Sequence, residues 1–91
     1  MPPGDAPNRK LGPAIKRLRT AAGLSQEEVA ERSDITLNSV GRIERSEVNP
    51  TWTTVLRLVE ALELTLVELA QAVEDTEARS ASSFRSETDL R

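Results

Sequence analysis

The sequence GLSQEEVAERSDITLNSVGRIER, residues 23–45, predicts two short helices joined by a tight turn. Ser25 and Glu28 open the first helix as a capping box, in which each side chain hydrogen-bonds the backbone N–H of the other residue. Ser33 and Asp34 end it, since aspartate tolerates the left-handed backbone of a turn better than most residues. Thr36 then caps the second helix. The pattern is typical of a helix, a turn and another helix.

The second of these helices has one face that a folded core does not explain. Val40 and Ile43 supply its apolar side. The other side combines apolar, amide, small and cationic residues: Leu37, Asn38, Gly41, Arg42 and Arg45. A glycine inside a helix costs about 1 kcal/mol relative to alanine, so its presence needs a reason. We therefore expect this face to approach another molecule.

Apolar residues at three- and four-residue spacing predict three further helices around this pair. One begins near Gly12 and Pro13 and ends at Gly23. Another follows the turn at residues 49–51 and carries the densest apolar stripe, which is expected to lie in the core: Trp52, Val55, Leu56, Val59 and Leu62. The last is capped by Thr65 and fades between Asp75 and Arg79. The predicted fold class is all-α.

The composition divides the chain into one domain and two polar ends. Residues 1–10 contain three prolines and a glycine, and residues 78–91 are rich in serine and charge. Both are predicted to be disordered, the first as an N-terminal arm and the second as a C-terminal tail. Residues 11–77 are the predicted helical domain, and with 91 residues in all the chain has room for only one.

The absence of cysteine and histidine from the sequence excludes several classes of function. Disulfides, thiolate zinc sites and catalytic pairs built on histidine are ruled out. No catalytic residue, metal site or cofactor is predicted, and an enzyme is not expected. No apolar run approaches the roughly 18 to 20 residues that cross a bilayer, and the first residues do not resemble a signal peptide. The expected location is the cytosol, with no membrane partner.

The charge is distributed unevenly along the chain, although the net charge is only −3. Residues 9–45 hold eight lysine and arginine residues against five acidic ones, whereas residues 46–91 hold four against nine. One interpretation is a basic half that binds an anionic partner, backed by an acidic half. The other is a set of scattered, solvated surface charges.

Residues 11–72 resemble the lambda-repressor-like, Xre/Cro-type DNA-binding domains of bacteria and phages. Four stretches carry the resemblance, in this order and at this spacing: IKRLR at 15–19, GLSQEEVA at 23–30, RIER at 42–45 and NPT at 49–51. The resemblance implies a five-helix bundle whose second and third helices form the helix-turn-helix. It also implies a partner, double-stranded DNA.

The resemblance assigns roles to individual residues. Those that would contact bases in the major groove are Thr36, Leu37, Asn38, Gly41 and Arg42. Those that would contact phosphates are Ser25, Gln26, Arg45, Asn49 and Thr51. Arg19 and Glu44 would form a structural salt bridge between the first and third helices. The chemistry is compatible, since asparagine can pair with adenine, arginine with guanine, and an apolar side chain with a thymine methyl group.

The resulting hypothesis is a sequence-specific transcriptional regulator of repressor or controller type. It would bind an inverted-repeat operator as a homodimer, with Leu66, Leu69 and Val73 as the dimer interface; the alternative for these three residues is packing within one chain. A different function also remains open. An antitoxin-like or adaptor module would neutralise a partner protein, such as a toxin or another regulator, and repress its own operon only secondarily.

Two departures from the family pattern affect the expected affinity. Glu47 stands where a cation is common and would repel a phosphate, and Asp34 stands where glycine is usual. We therefore expect moderate, strongly salt-dependent DNA binding with few phosphate contacts per subunit.

Overall fold

A computed structural model describes residues 8–76 of the chain. Within that range it contains five helices and no strand. In chain order they are α1 (Leu11–Ala21), α2 (Gln26–Ser33), α3 (Leu37–Glu44), α4 (Trp52–Ala61) and α5 (residues 66–76). The predicted all-α, five-helix fold is confirmed. The predicted tail at 78–91 and most of the predicted arm at 1–10 lie outside the described residues.

The helix-turn-helix begins and ends as the sequence predicts. Ser25 Oγ accepts a hydrogen bond from the Glu28 N–H at 3.0 Å, and Glu28 Oε1 accepts one from the Ser25 N–H at 2.8 Å. The bond from the Ser25 backbone lowers the pKa of Glu28, because it favours the carboxylate form. Asp34 ends α2 in the left-handed region, with φ at 60°.

Threonine caps three of the remaining helices. The Thr36 hydroxyl accepts from the Ser39 N–H, and the Thr51 hydroxyl accepts from the Thr54 N–H, both at 3.1 Å. Thr65 forms a second capping box with Glu68. Each of these bonds satisfies a backbone N–H that has no partner inside its helix.

α1 begins in a way that the sequence analysis did not predict. The helix starts at Leu11, slightly before the expected position, and its N-cap residue Lys10 makes no side-chain cap bond. Instead Asn8 Oδ1 accepts from the N–H groups of Lys10 and Leu11, at 2.7 and 3.0 Å. Asn8 belongs to the segment predicted to be a disordered arm, so part of that segment serves as the cap of α1.

The core joins one nearly inaccessible side chain from each of the first four helices: Ile15, Val29, Val40 and Leu58. Leu69 brings α5 into the same cluster. α3 packs on α1 and α2, and α4 packs on α2. α1 approaches the end of α3 so closely at Gly12 that a Cβ atom there would overlap with the Ile43 carbonyl oxygen. The inner side of α3 is therefore fixed by packing, and its outer side is exposed to solvent.

The prediction that Trp52 lies in the core is wrong. The residue is 65% exposed, and Leu56 in the same predicted stripe is 41% exposed. Leu58 takes the buried place that the sequence analysis gave to Leu56. Trp52 is the first residue of α4, one turn before Val55, and its indole lies at the edge of an open cavity instead of between helices.

No helix within residues 8–76 is both long enough and apolar enough to span a bilayer.

Candidate nucleic-acid interface

The outer face of α3 presents the side chains that the sequence analysis selected for base contact. Leu37 is 45% exposed, the Arg42 side chain is 47% exposed, and Asn38 is exposed between them. Val40, Ile43 and Glu44 on the inner side are buried. An apolar side chain, an amide and a guanidinium therefore lie together on one accessible helix face, which is the set of groups that can read base edges.

Thr36 and Gly41 have environments that differ from those of Leu37, Asn38 and Arg42. Thr36 is exposed, but its hydroxyl is engaged as the cap of α3 and bonds Ser39 Oγ at 2.9 Å. Gly41 is buried, which corrects its expected position on the open face. A Cβ atom there would lie 3.0 Å from Arg45 Nη1 and 3.8 Å from Gln26 Oε1. The glycine thus makes room for two protein side chains.

A buried ion pair fixes α3 against α1. Arg19 Nε lies 2.6 Å from Glu44 Oε2, and Arg19 Nη2 donates to Glu44 Oε1 at 3.0 Å. Their side chains are 11% and 2% exposed. Arg19 Nη1 also donates to the Leu24 carbonyl at 2.8 Å, across the turn that follows α1. The hydrogen bond with Glu44 raises the pKa of Arg19, and the pair brings together the residues that the family resemblance implied.

Gln26 connects the two helices of the helix-turn-helix. Its Nε2 donates to Glu44 Oε1 at 2.9 Å, so the carboxylate accepts from α1 and α2 at once. Gln26 is the first residue of α2, where the partial positive charge of the helix attracts anions. Its half-buried side chain is therefore held in a fixed position relative to α3.

Most other residues expected to contact phosphates already make bonds within the protein. The hydroxyls of Ser25 and Thr51 cap α2 and α4. Asn49 Oδ1 accepts from the Asn8 N–H at 2.7 Å. These side chains are exposed or half-buried. They lie at helix starts or in the loop between α3 and α4, where backbone N–H groups can also meet a phosphate.

Arg45 is paired with an acid that the sequence analysis treated only as a repulsive charge. Arg45 Nε lies 2.7 Å from Glu47 Oε2, and Arg45 Nη2 donates to Glu47 Oε1 at 3.4 Å. Arg42 Nε lies 3.5 Å from the same Oε1. The hydrogen bond with Arg45 lowers the pKa of Glu47 and raises that of Arg45.

The turn after α3 explains why this pairing was missed. Ser46 adopts a left-handed backbone with φ at 62°, and the Glu47 N–H donates to the Arg42 carbonyl at 2.9 Å. The chain thus folds back, and the Glu47 carboxylate meets the arginines of α3. Serine at this position gives no signal for that turn, whereas glycine would have.

The residues expected at a dimer interface have different environments. Leu69 is buried in the core of the single chain, whereas Leu66 is 38% exposed. Both line an open apolar cavity of about 510 Å³, together with Val73, Trp52 and Leu11. The alternative of internal packing applies to Leu69, so substituting Leu69 would disturb the fold of the single chain.

The described residues contain no group of three or more acidic side chains placed to hold a metal ion.

Comparison with known proteins identifies the family of the helical domain. The profile of a family described as a helix-turn-helix domain matches residues 10–72. The uncharacterized HTH-type transcriptional regulator y4dJ of Sinorhizobium fredii is 41% identical over 69 residues, which span 75% of this chain and 90% of that protein.

Two solved structures share the architecture. The restriction-modification controller protein C.AhdI from Aeromonas hydrophila is 40% identical, with a TM-score of 0.64 over 66% of this chain and 91% of that chain. The wild-type controller protein C.Esp1396I has a TM-score of 0.73 over 77% of this chain and 91% of its own. Its identity is 24%, so it supports the fold alone.

Proposed function

The chain belongs to the helix-turn-helix domain family of DNA-binding transcriptional regulators, which are not enzymes, and we propose that it is a repressor- or controller-type regulator. It binds an inverted-repeat operator as a homodimer, with one α3 in the major groove of each half-site. Half-sites one helical turn apart, about 34 Å, suit such a dimer. The similarity to C.AhdI, a restriction-modification controller protein, favours the controller type.

The outer face of α3 is the observation that carries this proposal. Arg42 forks onto guanine O6 and N7, Asn38 pairs with adenine N6 and N7, and Leu37 covers a thymine methyl group. All three side chains are exposed on a helix whose inner side is locked by a buried ion pair. A rigid helix with an accessible polar face holds its side chains in place before DNA arrives, which lowers the entropic cost of binding.

The phosphate contacts position α3 in the groove. Gln26 and the N-terminal end of α2 contact one phosphate, with Ser25 beside them. Asn49 and Thr51 contact another from the α3–α4 loop, through their side chains or the neighbouring backbone N–H groups. Arg45 reaches a phosphate only after it leaves Glu47. Such contacts give orientation and salt dependence but no sequence preference.

The open cavity beside α5 supports the homodimer. At this cavity Trp52 at 65% exposure and Leu66 at 38% leave apolar surface in water in the single chain, and Val67, which does not line the cavity, is 76% exposed. Burying such surface contributes roughly 25 cal/mol per Å2, so a second copy placed here gains free energy. Leu66 and Val73 contribute to this contact directly, whereas Leu69 supports it from the core.

Selection of binding sites from a pool of random duplex DNA tests the proposal, followed by anisotropy titrations of the winners at two salt concentrations. We expect an inverted repeat that is bound far more tightly than a scrambled duplex of the same length. Sedimentation of the protein–DNA complex is expected to give two chains per duplex. Weak binding without sequence preference at low salt would refute the proposal. In that case the apolar cavity becomes the surface on which to seek a protein partner.

A further inference from the structure

Glu47 lies among the cations of the DNA-binding face, where an acid opposes the proposed function. A carboxylate at this place repels phosphates and competes with them for the guanidinium groups of α3. The geometry shows that this competition is unequal. Arg45 approaches the carboxylate through two nitrogens, the nearer at 2.7 Å, whereas Arg42 approaches it through Nε at 3.5 Å.

The pair with Arg45 engages the side of the guanidinium group. Nε and Nη2 both approach the carboxylate, at 2.7 and 3.4 Å from separate oxygens. Two-point pairs between arginine and a carboxylate have well-defined geometry and are stronger than single contacts. Arg45 must give up this pair before it can offer the same nitrogens to a phosphate.

The pair with Arg42 is looser and leaves the end of the side chain available. Its nearest approach runs through Nε, at 3.5 Å from Oε1, and not through the terminal nitrogens Nη1 and Nη2. These terminal nitrogens are the ones that can fork onto a guanine edge. The carboxylate thus restrains the Arg42 guanidinium group at Nε without blocking its two terminal nitrogens.

We propose that Glu47 is a specificity-determining residue, which withholds Arg45 from phosphate contact on any sequence while it leaves Arg42 free to read a base. This inference rests on the proposed DNA-binding function. Non-specific affinity comes almost entirely from phosphate contacts, whereas preference for one site comes from base contacts. A residue that weakens phosphate contacts and leaves base contacts intact therefore raises the ratio of operator affinity to non-specific affinity.

Substituting Glu47→Gln tests the proposal, because glutamine keeps the size of the side chain and removes its charge. The matched control is Glu63→Gln, which changes the net charge equally. Glu63 is 84% exposed and lies 3.9 Å from Arg32, so it does not contact the α3 arginines. Binding of the full chain to the selected operator and to a scrambled duplex is measured by anisotropy over a range of salt concentrations.

We expect E47Q to bind the scrambled duplex up to about tenfold more tightly than the wild type at low salt, because one phosphate contact per subunit is gained. Its plot of log affinity against log salt should be steeper by about 0.9 per bound subunit. The operator should gain less, so the ratio of the two affinities falls. E63Q should leave the ratio unchanged, and adding Arg45→Ala to E47Q should remove the gain on the scrambled duplex.

A gain for E47Q no larger than that for E63Q would overturn the proposal, and so would an equal gain on both duplexes. A loss of operator binding with no change on the scrambled duplex would also overturn it, since Glu47 would then only position Arg42. Thermal melting of each variant separates these results from a folding defect. Failure of the underlying function looks different, because the wild type would then show no preference for any duplex.

Discussion

The carboxylate of Glu44 is the point at which three helices meet, and its removal should be the most damaging single change outside the apolar core. It accepts hydrogen bonds from Arg19 Nε and Nη2 on α1 and from Gln26 Nε2 on α2, and its side chain is 2% exposed. Glu44→Ala leaves the Arg19 guanidinium buried without its partner. Breaking a buried pair in this way costs about 3–5 kcal/mol.

That cost is large for a domain of this size, whose free energy of unfolding is about 5–15 kcal/mol. At roughly 4–8 °C per kcal/mol, E44A should melt at least about 12 °C below the wild type. Urea unfolding, monitored by circular dichroism, measures the loss of stability of E44A as a difference in the free energy of unfolding. Glu63→Ala is the control, because its carboxylate is exposed and its loss should change stability by at most about 0.5 kcal/mol.

A double variant separates the buried charge from the packing around it. Replacing both partners, as in Arg19→Met with Glu44→Leu, removes the uncompensated charge, so this variant should be more stable than E44A. Gln26 then loses its acceptor at Glu44, and full recovery is not expected. If the free energy of unfolding of E44A fell by less than about 1 kcal/mol, this prediction would be wrong, since Arg19 would then be in contact with water.

Three further predictions concern packing, assembly and pH. Gly12→Ala should destabilise the fold by more than about 2 kcal/mol in urea unfolding, because its Cβ atom would overlap with a carbonyl oxygen at the end of α3. At Gly23 there is open space for a Cβ atom, although φ is +74°, so Gly23→Ala should lower the free energy of unfolding by less than Gly12→Ala. Equal losses in the two variants would contradict the packing argument. Leu66→Arg should convert dimers to monomers in sedimentation while the helical dichroism is unchanged; a variant that still sediments as a dimer would move the interface elsewhere. The Ser25 N–H lowers the pKa of Glu28 in the folded state. This cap therefore stabilises the protein at pH values above the unfolded-state pKa of Glu28. The stabilisation is lost as the pH falls through the folded-state pKa. Glu28→Gln should therefore flatten the dependence of the melting temperature on pH in the acidic range, and an unchanged dependence would show that the cap does not contribute.

The local features of this fold are largely predictable from the sequence. The capping box at Ser25 and Glu28, the left-handed turn at Asp34 and the threonine cap at Thr36 depend only on residues a few positions apart. Short-range hydrogen bonding decides them, and the structure has all three. The pairing of Arg19 with Glu44 spans 25 positions, and it was implied by the family resemblance and not by spacing.

The features that were missed depend on tertiary geometry. Apolar spacing places Trp52 on the inner stripe of α4. Spacing alone cannot show that α4 begins at the edge of the core, where the Trp52 side chain is exposed. Gly41 is on the open side by spacing, yet the Arg45 side chain covers it. The contact of Glu47 with two arginines depends on a left-handed serine, which local preference does not favour.

The outer face of α3 is proposed to read DNA sequence, and site selection carried out in parallel with the wild type and Arg42→Ala tests this claim. The wild type is expected to enrich an inverted repeat with a strong preference for guanine at one position in each half-site. R42A should lose that preference, bind the repeat more weakly by about 1–3 kcal/mol and keep its other positions. Enrichment of the same guanine by R42A, or an equal loss of affinity on every duplex, would contradict the claim.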